Sequence, residues 1–287
     1  MLQEVLSWLR VKEGRLFVDG TIGGGGHAKR ILELSAPNGR LVGIDWDPEA
    51  LDRARENLRG YGDRLWLLHG NYKDMAAILR PFGIVEVDGI LLDLGASLEQ
   101  LTCGHRGFSL MAPGPLDMRF NPLNPITAER IVNQWPQGKL EALFRCCGEE
   151  RWAGRIARAI VRSRPLTSTT DLAALVARVV PGRNRRIHPA TRVFQALRIE
   201  VNGELENVDQ GIREAARCLA PGGRLCVISY HSLEDRLAKR VFREMSALTA
   251  GHAFQVLTAK PIRPSGDEIE ANPSARGAKL RVLQRVG

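Results

Sequence analysis

The fold of this chain is decided by residues 16–27, which read LFVDGTIGGGGH. A short apolar run opens the stretch, and the glycines after it allow the backbone to bend sharply and a ligand to approach without an intervening side chain. A helical pattern begins at His27, so the stretch predicts a strand, a tight turn and a helix. Such turns also occur without any ligand, so the glycines alone leave a binding role open.

An acidic residue further along the chain favours binding. Gly23, Gly25 and Ala28 fit a dinucleotide-binding fingerprint, and Asp45 ends the next apolar run, residues 39–44. An acid at the tip of the second strand, about 20 residues after the glycines, grips the ribose hydroxyls in nucleoside-binding sheets. The sequence therefore predicts an adenosine-containing cofactor at the carboxyl ends of the first two strands.

Composition limits the class of protein. The chain has 287 residues, 44% of them hydrophobic and 25% charged, which is typical of one large globular domain or two unequal ones. Its five cysteines lack C-x-x-C spacing, so we expect neither a disulfide framework nor a metal site. No apolar stretch approaches the roughly 20 residues that span a bilayer. No secretory signal pattern opens the chain, so we expect a cytoplasmic protein with no membrane partner.

Positive charge is concentrated in one region. Between Arg151 and Arg198 the sequence has eleven arginines and no lysine, against a single acid, Asp171. A solvated helix face normally interleaves charges of both signs, although a solvated face is the simpler alternative. The block predicts a polyanionic partner such as nucleic acid.

The pattern of elements predicts two domains. Apolar strands alternate with amphipathic helices over residues 1–123 and 204–287, which is typical of a parallel α/β sheet covered on both faces. Residues 124–203 contain helix after helix, so we expect an inserted helical domain. The last two of seven strands are joined without a crossover helix, which predicts an antiparallel finish. This finish favours an S-adenosylmethionine fold over a nicotinamide-binding one, which normally ends with a sixth parallel strand.

Polar residues after the strands are candidate site residues. Asp93 ends the fourth strand, where ligands bind in open parallel sheets, although it could also cap the following turn. Gln100 lies seven residues further on and could reach the same crevice. Tyr72 follows the third strand and could either stack on an adenine or pack in the core. His231 and Ser232 are adjacent, an arrangement that rarely forms a nucleophile and base, so we set acyl transfer aside.

Ten ordered motifs extend across nearly the whole chain. They are Gly-Gly-His at 25–27, Asp-Leu-Gly at 93–95, Arg-Gly-Phe-Ser at 106–109, Gly-Pro-Leu-Asp-Met-Arg at 114–119, Gly-Glu-Glu-Arg at 148–151, Arg-Ile-Ala-Arg-Ala-Ile-Val at 155–161, His-Pro-Ala-Thr-Arg at 188–192, Phe-Gln-Ala-Leu-Arg-Ile at 194–199, Leu-Ala-Pro-Gly-Gly-Arg-Leu at 219–225 and His-Ser-Leu-Glu-Asp-Arg at 231–236. Together these motifs resemble the bacterial RsmH (MraW) family.

The resemblance implies a fold, an activity and a substrate. The fold is a class I S-adenosylmethionine-dependent methyltransferase domain, Rossmann-like, with a seven-stranded sheet and an inserted helical substrate-recognition domain. The activity is methylation of the exocyclic N4 of a cytosine in the decoding region of 16S rRNA, within the small ribosomal subunit. S-adenosylmethionine is the implied methyl donor.

The resemblance also implies site residues. The cofactor contacts carried over are Gly25, Gly26, His27, Asp45, Tyr72, Asp93 and Gln100. Tyr72 stands where the family commonly has phenylalanine, which preserves a ring. Arginines of the insertion are expected to hold RNA phosphates, and the candidates are Arg183, Arg185, Arg186 and Arg192.

Catalysis requires a group that accepts a hydrogen from the cytosine amine, because its lone pair is delocalised into the ring. Asp93 or the loop that carries Asp117 and Arg119 could supply this group, and the sequence does not rank them. The chain lacks the Asp-Pro-Pro-Tyr type of motif that many amino-directed methyltransferases place after strand four. Two alternative functions remain at this point: a nicotinamide oxidoreductase, and an RNA-binding assembly factor without catalysis. The sequence predicts no particular oligomeric state.

Overall fold

A computed structural model of the chain describes residues 1–102, 104–181, 188–248 and 253–287. The chain forms two compact units. The first combines Met1–Gly95 with Leu205–Gly287, and the second is Ala96–Glu204. No helix among the described residues is long and apolar enough to cross a membrane.

The first unit is built on a seven-stranded sheet. Its strands are β1 (Leu16–Asp19), β2 (Arg40–Asp45), β3 (Leu65–His69), β4 (Val87–Asp93), β5 (Leu219–Ser229), β6 (Phe254–Val256) and β7 (Lys279–Arg285). The order across the sheet is β3-β2-β1-β4-β5-β7-β6. The first five strands are parallel, and β7 is antiparallel to both β5 and β6. The predicted α/β fold with seven strands and an antiparallel finish is therefore confirmed.

Helices cover both faces of this sheet because successive side chains of a strand point to opposite sides. Phe17 and Leu41 belong to one apolar cluster, and their neighbours Val18 and Val42 belong to another. The helices of the unit are α1 (Leu2–Leu9), α2 (Gly26–Leu34), α3 (Pro48–Asn57), α4 (Met75–Leu79), α11 (Glu204–Arg217), α12 (Ser232–Leu248) and α13 (Gly266–Ala271).

The second unit is helical, as the sequence predicts for most of its length. Its helices are α5 (Leu98–Thr102), α6 (Ala128–Gln134), α7 (Gln137–Cys146), α8 (Ala153–Arg162), α9 (Thr169–Val179) and α10 (Thr191–Asn202). The apolar faces of α6 to α10 form one buried cluster, whereas Leu98 and Leu101 of α5 are exposed. Thr127 and Ser168 cap α6 and α9 by accepting hydrogen bonds from backbone N–H groups of the first turn.

A loop segment joins this helical core. The sequence places residues 104–123 with the sheet domain, whereas the compact second unit already begins at Ala96. The physical reason is apolar packing: Phe108, Leu116 and Met118 are buried in the same cluster as the helices. Asn202 strengthens the connection, since its side chain accepts from the Phe120 backbone N–H and donates to the Met118 carbonyl.

Candidate active site at the carboxyl ends of the strands

Three carboxylates end three neighbouring strands of the first unit. Asp19 ends β1, Asp45 ends β2 and Asp93 ends β4, and β1 lies between the other two. The carboxyl ends of parallel strands meet at one edge of a sheet, which is the ligand-binding edge in open α/β folds. The three acids therefore share one crevice.

Burial makes these acids harder to ionise. It raises the pKa of Asp19 to about 8, and the charges of Asp93 and Asp45 add to the increase. Burial also raises the pKa of Asp45 to about 6, although hydrogen bonds from the backbone N–H groups of Asp47 and Gly23 lower it in part. Burial again raises the pKa of Asp93, with His27 and Tyr230 opposing the shift. A cationic ligand would favour the ionised form of every one of these groups, so the crevice suits positive charge.

The glycine loop is shaped by its own backbone. Gly23 and Gly25 have φ angles of +53° and +87°, in the left-handed region that favours glycine. The Gly23 N–H donates to Asp45 Oδ2 at 2.9 Å, which ties the loop to the tip of β2. A Cβ atom at Gly25 would lie 2.8 Å from Leu58 Cδ1, whereas a Cβ at Gly26 would have nothing within 4 Å. The first turn of α2 is therefore open to a ligand.

Asp93 is held by side chains from two other elements. The hydroxyl of Tyr230, directly after β5, donates to Asp93 Oδ1 at 3.0 Å. His27 Nδ1, in α2, lies 3.7 Å from Asp93 Oδ2. Burial lowers the pKa of His27, and the nearby charge of Asp93 offsets only part of this decrease. The ring is therefore neutral at neutral pH. Its Nε2 atom is buried and has no hydrogen-bond partner among the described residues, which leaves one polar atom for a ligand.

Tyr72 lies beside the same crevice and packs against the core. It begins a short 3-10 turn after β3. A Cβ at Gly211 of α11 would lie 2.2 Å from the Tyr72 ring, and a Cβ at Gly20 would lie 3.2 Å from Tyr72 Cβ. The ring is therefore positioned by α11 near the exit of β1. The packing role that the sequence left open is present, and a stacking role stays a prediction.

Three predicted site residues lie in the second unit. Gln100 in α5 accepts from the Ser97 N–H through Oε1, and Ser97 Oγ accepts from the Gln100 N–H in return. Asp117 accepts from Arg119 through both oxygens, at 2.9 and 2.7 Å. Partial burial raises the pKa of Asp117, but the Arg119 hydrogen bonds outweigh it and hold that pKa below its ordinary value. Arg119 also donates to the carbonyls of Pro122 and Asn124, so this pair orders its own loop.

The structure divides the arginine block into internal and exposed members. Arg198 makes a two-fold ion pair with Glu204, at 2.8 and 2.9 Å. Arg164 donates to backbone carbonyls of α6 and its C-terminal end. Arg192 is exposed, although it also donates to the Glu149 carbonyl at 3.1 Å. The RNA-binding candidates Arg183, Arg185 and Arg186 lie outside the described residues.

Sequence reasoning missed Asp19 and Tyr230. Asp19 ends its strand as Asp45 does, so the same signal could have found it. Tyr230 directly follows an apolar strand, but its contact with Asp93 joins residues 137 positions apart. Only the pairing of β5 with β4 brings them together.

Comparison with known proteins decides the family. The model of the MraW methylase family matches residues 1–286. The chain belongs to the MraW methylase family. A MraW relative from Thermomicrobium roseum, named ribosomal RNA small subunit methyltransferase H, is 48% identical over 100% of this chain and 92% of its own length. One from Syntrophus aciditrophicus with the same name is 47% identical over 100% of this chain and 96% of its own.

A solved structure supports the fold alone. A candidate rRNA-methylase from Clostridium thermocellum superposes with a TM-score of 0.50 at 14% identity, covering 99% of this chain and 97% of that one. As a MraW methylase, the chain is a methyltransferase with the predicted class I fold. The predicted methyl donor, S-adenosylmethionine, is confirmed, which decides against the nicotinamide alternative.

The crevice residues fit this donor. S-adenosylmethionine has a positive sulfonium and an ammonium group, and the crevice has three acids whose ionised forms a cation would stabilise. The space above Gly26 and the unpartnered Nε2 of His27 leave room and a polar contact for a ligand. The chemistry of the MraW donor thus agrees with the residues present.

Proposed function

We propose that this methyltransferase acts on the exocyclic N4 of a cytosine in the decoding region of 16S rRNA, within the small ribosomal subunit. The observation that carries the proposal is identity of 47–48% along the whole chain to proteins named ribosomal RNA small subunit methyltransferase H. The intact acidic crevice agrees with it, because an assembly factor without catalysis would have no need of a donor site.

The donor is held by groups from several strand ends. Asp45 takes the ribose hydroxyls, and the backbone at Gly25 and Gly26 allows close approach of the donor. Tyr72 lies against the adenine, and His27 with Asp93 faces the polar end. The resemblance adds Gln100 to this set. When bound, S-adenosylmethionine supplies an electrophilic methyl group on a positively charged sulfur.

Asp93 is the better candidate to accept a hydrogen from the cytosine amine. Burial makes its carboxylate more basic than an exposed one, and a general base works best with a pKa near the working pH. The Tyr230 hydroxyl fixes one carboxylate oxygen, and the other keeps free acceptor capacity. Asp117 is a weaker base with both oxygens engaged by Arg119, so we assign that pair to ordering the loop.

The division of labour follows the two domains. The first unit, Met1–Gly95 with Leu205–Gly287, acts as the methyltransferase domain, and the second unit, Ala96–Glu204, acts as the helical domain that recognises the substrate. The helical domain carries the exposed arginines, whose contacts with phosphates position RNA without reading its sequence. The target base must be single-stranded or turned out of its stack to reach the donor.

The test uses the full chain and methyl-labelled S-adenosylmethionine. Two substrates are incubated separately with the protein and the labelled donor: small subunits from cells that lack this modification, and 16S rRNA stripped of protein. The RNA of each is then digested to nucleosides. We expect label only in N4-methylcytidine, at one position of the decoding region, and a faster reaction with subunits. Label in another nucleoside would contradict the proposal. Subunit binding without label would instead indicate an assembly factor, and Asp93→Asn is the inactive control.

A further inference from the structure

Three arginines form a row along one face of α8. Arg155, Arg158 and Arg162 are spaced i, i+3 and i+7, which places them on the same side of a helix. At about 1.5 Å of rise per residue the row extends about 10 Å. All three are exposed, whereas Ile156 and Ile160 on the opposite face are fully buried. We call these three residues the arginine row.

The arginine row has no acidic partner. Among the described residues, no ion pair or hydrogen bond joins any of its members to a carboxylate, and α8 itself contains no acid. The neighbouring helix α7 differs: its exposed Arg145 is paired with Glu141 at 2.6 Å. The row is therefore a line of uncompensated positive charge.

This arrangement is unfavourable for the helix by itself. Arg155 lies in the first turn of α8, where the positive end of the helix dipole repels a cation. Like charges at spacings of three and four residues also repel one another. An anionic partner would reverse both effects.

The composition of the surface favours nucleic acid over an acidic protein as this partner. Protein interfaces have an apolar centre with aromatic anchors. In the described part of α6 to α10, no large hydrophobic side chain is exposed; the exposed ones of the second unit, such as Met111 and Leu123, lie before α6. Guanidinium groups, in contrast, match phosphate oxygens with two parallel hydrogen bonds.

We propose that the arginine row binds the sugar–phosphate backbone of the RNA substrate, with Arg155, Arg158 and Arg162 each contacting a phosphate. The identity of that RNA rests on the function proposed above. The chemistry of the row requires only a phosphate backbone, so the row contributes affinity and position and leaves the choice of base to other residues.

The test measures RNA binding apart from methylation. The full chain is titrated into a fluorescein-labelled RNA hairpin over a series of salt concentrations, followed by anisotropy. The variant Arg155→Gln/Arg158→Gln/Arg162→Gln removes three charges. Each lost phosphate contact lowers the slope of log affinity against log salt by about 0.7 to 0.9, so we expect a loss of about 2 in slope and a weakening of about tenfold or more at low salt. The corresponding lysine variant should keep most of the slope.

A matched control has the same change in net charge. Arg59, Arg80 and Arg243 are exposed residues of the first unit, and replacing all three with glutamine should leave most of the slope intact. S-adenosylmethionine binding, measured by calorimetry, should be unchanged in both triple variants and shows that they fold.

Two outcomes would overturn the proposal. One is an unchanged slope in the row variant, or an equal loss in the control variant. The other is normal hairpin binding with weakened subunit binding, which would assign the row to an acidic protein. Failure of the wild type to methylate cytosine would contradict the proposed function while leaving the salt comparison valid, so the two failures are distinguishable.

Discussion

The two units place their charged groups in opposite ways. The first unit buries acids at the ends of its strands, and Asp19, Asp45 and Asp93 all have raised pKa values there. The second unit leaves arginines of α8 exposed and unpaired among the described residues, and pairs others, such as Arg198, inside. The difference agrees with the proposal that the units take ligands of opposite charge: a cationic methyl donor and a polyanionic RNA.

The largest expected effect distinguishes internal from exposed arginines. Arg198 and Glu204 form an ion pair whose side chains are only 14% and 7% exposed. Breaking such a pair leaves an uncompensated carboxylate, so Arg198→Ala should lower the free energy of unfolding by about 3 kcal/mol. Arg158→Ala, on the surface, should change it by less than about 0.5 kcal/mol. Urea denaturation measures both, and equal losses would show that the block has no such division.

The next effect tests the acidic crevice. Asp93→Asn removes a carboxylate that we propose faces the donor, so it should weaken S-adenosylmethionine binding about 100-fold, the size of a lost charge-assisted hydrogen bond. Calorimetry gives the dissociation constant. The control is Asp88→Asn at the amino end of the same strand, where the carboxylate pairs with Arg15. Its donor affinity should equal that of the wild type, and a similar loss in both variants would argue against a site at the carboxyl end.

An effect that is smaller per pH unit appears in the pH dependence of stability. The pKa of Asp19 is about 8 in the folded protein and near 3.8 in an unfolded chain. Between these values the folded state binds the extra proton, so this contribution is full below about pH 3.8 and is lost as the pH rises toward 8. The slope is at most about 1.4 kcal/mol per pH unit.

Asp19→Asn should remove this slope. Urea titrations of the wild type and the variant between about pH 5 and pH 8 give the difference in unfolding free energy. Asp45 and Asp93, whose pKa values are also raised, are present in both proteins, so the difference between the two curves reports Asp19. The variant should become more stable relative to the wild type as the pH rises. A constant difference would mean that Asp19 is ionised throughout and that burial does not shift it.

The smallest effect concerns the open space at the start of α2. Gly26→Ala adds a methyl group where the structure has nothing within 4 Å, so stability should stay within about 0.5 kcal/mol. Donor affinity should fall about tenfold, because the methyl group enters the space through which the donor approaches the backbone. Gly25→Ala is the contrast: its φ of +87° and the Leu58 contact should lower stability by about 1–3 kcal/mol. Normal donor affinity in Gly26→Ala would place the donor elsewhere.

Sequence patterns predicted the sheet and most of the crevice because these depend on local signals. An acid after an apolar run, such as Asp45 or Asp93, marks a strand tip, and the connection before β7, which has no long crossover helix, predicts an antiparallel strand. Contacts between distant residues could not be predicted in this way. The Tyr230 hydroxyl reaches Asp93 only because β5 pairs with β4.

The second unit shows the same limit. Glycines and prolines marked residues 104–123 as a loop, but its attachment to the helices depends on where Phe108 and Met118 are buried. The count of arginines gave the charge of the block. It could not separate Arg198, whose charge is neutralised inside, from Arg158, whose charge faces solvent.

Hydrogen–deuterium exchange of the full chain, measured with S-adenosylmethionine alone and with an RNA hairpin alone, shows whether the two ligands bind separate regions. We expect the donor to slow exchange in the glycine loop around residues 20–28 and after β4, and to leave α8 unchanged. RNA should slow exchange in α8 and leave the glycine loop unchanged. Two results would contradict separate binding of the two ligands. One is that the donor slows exchange in α8, and the other is that RNA slows exchange in the glycine loop and not in α8.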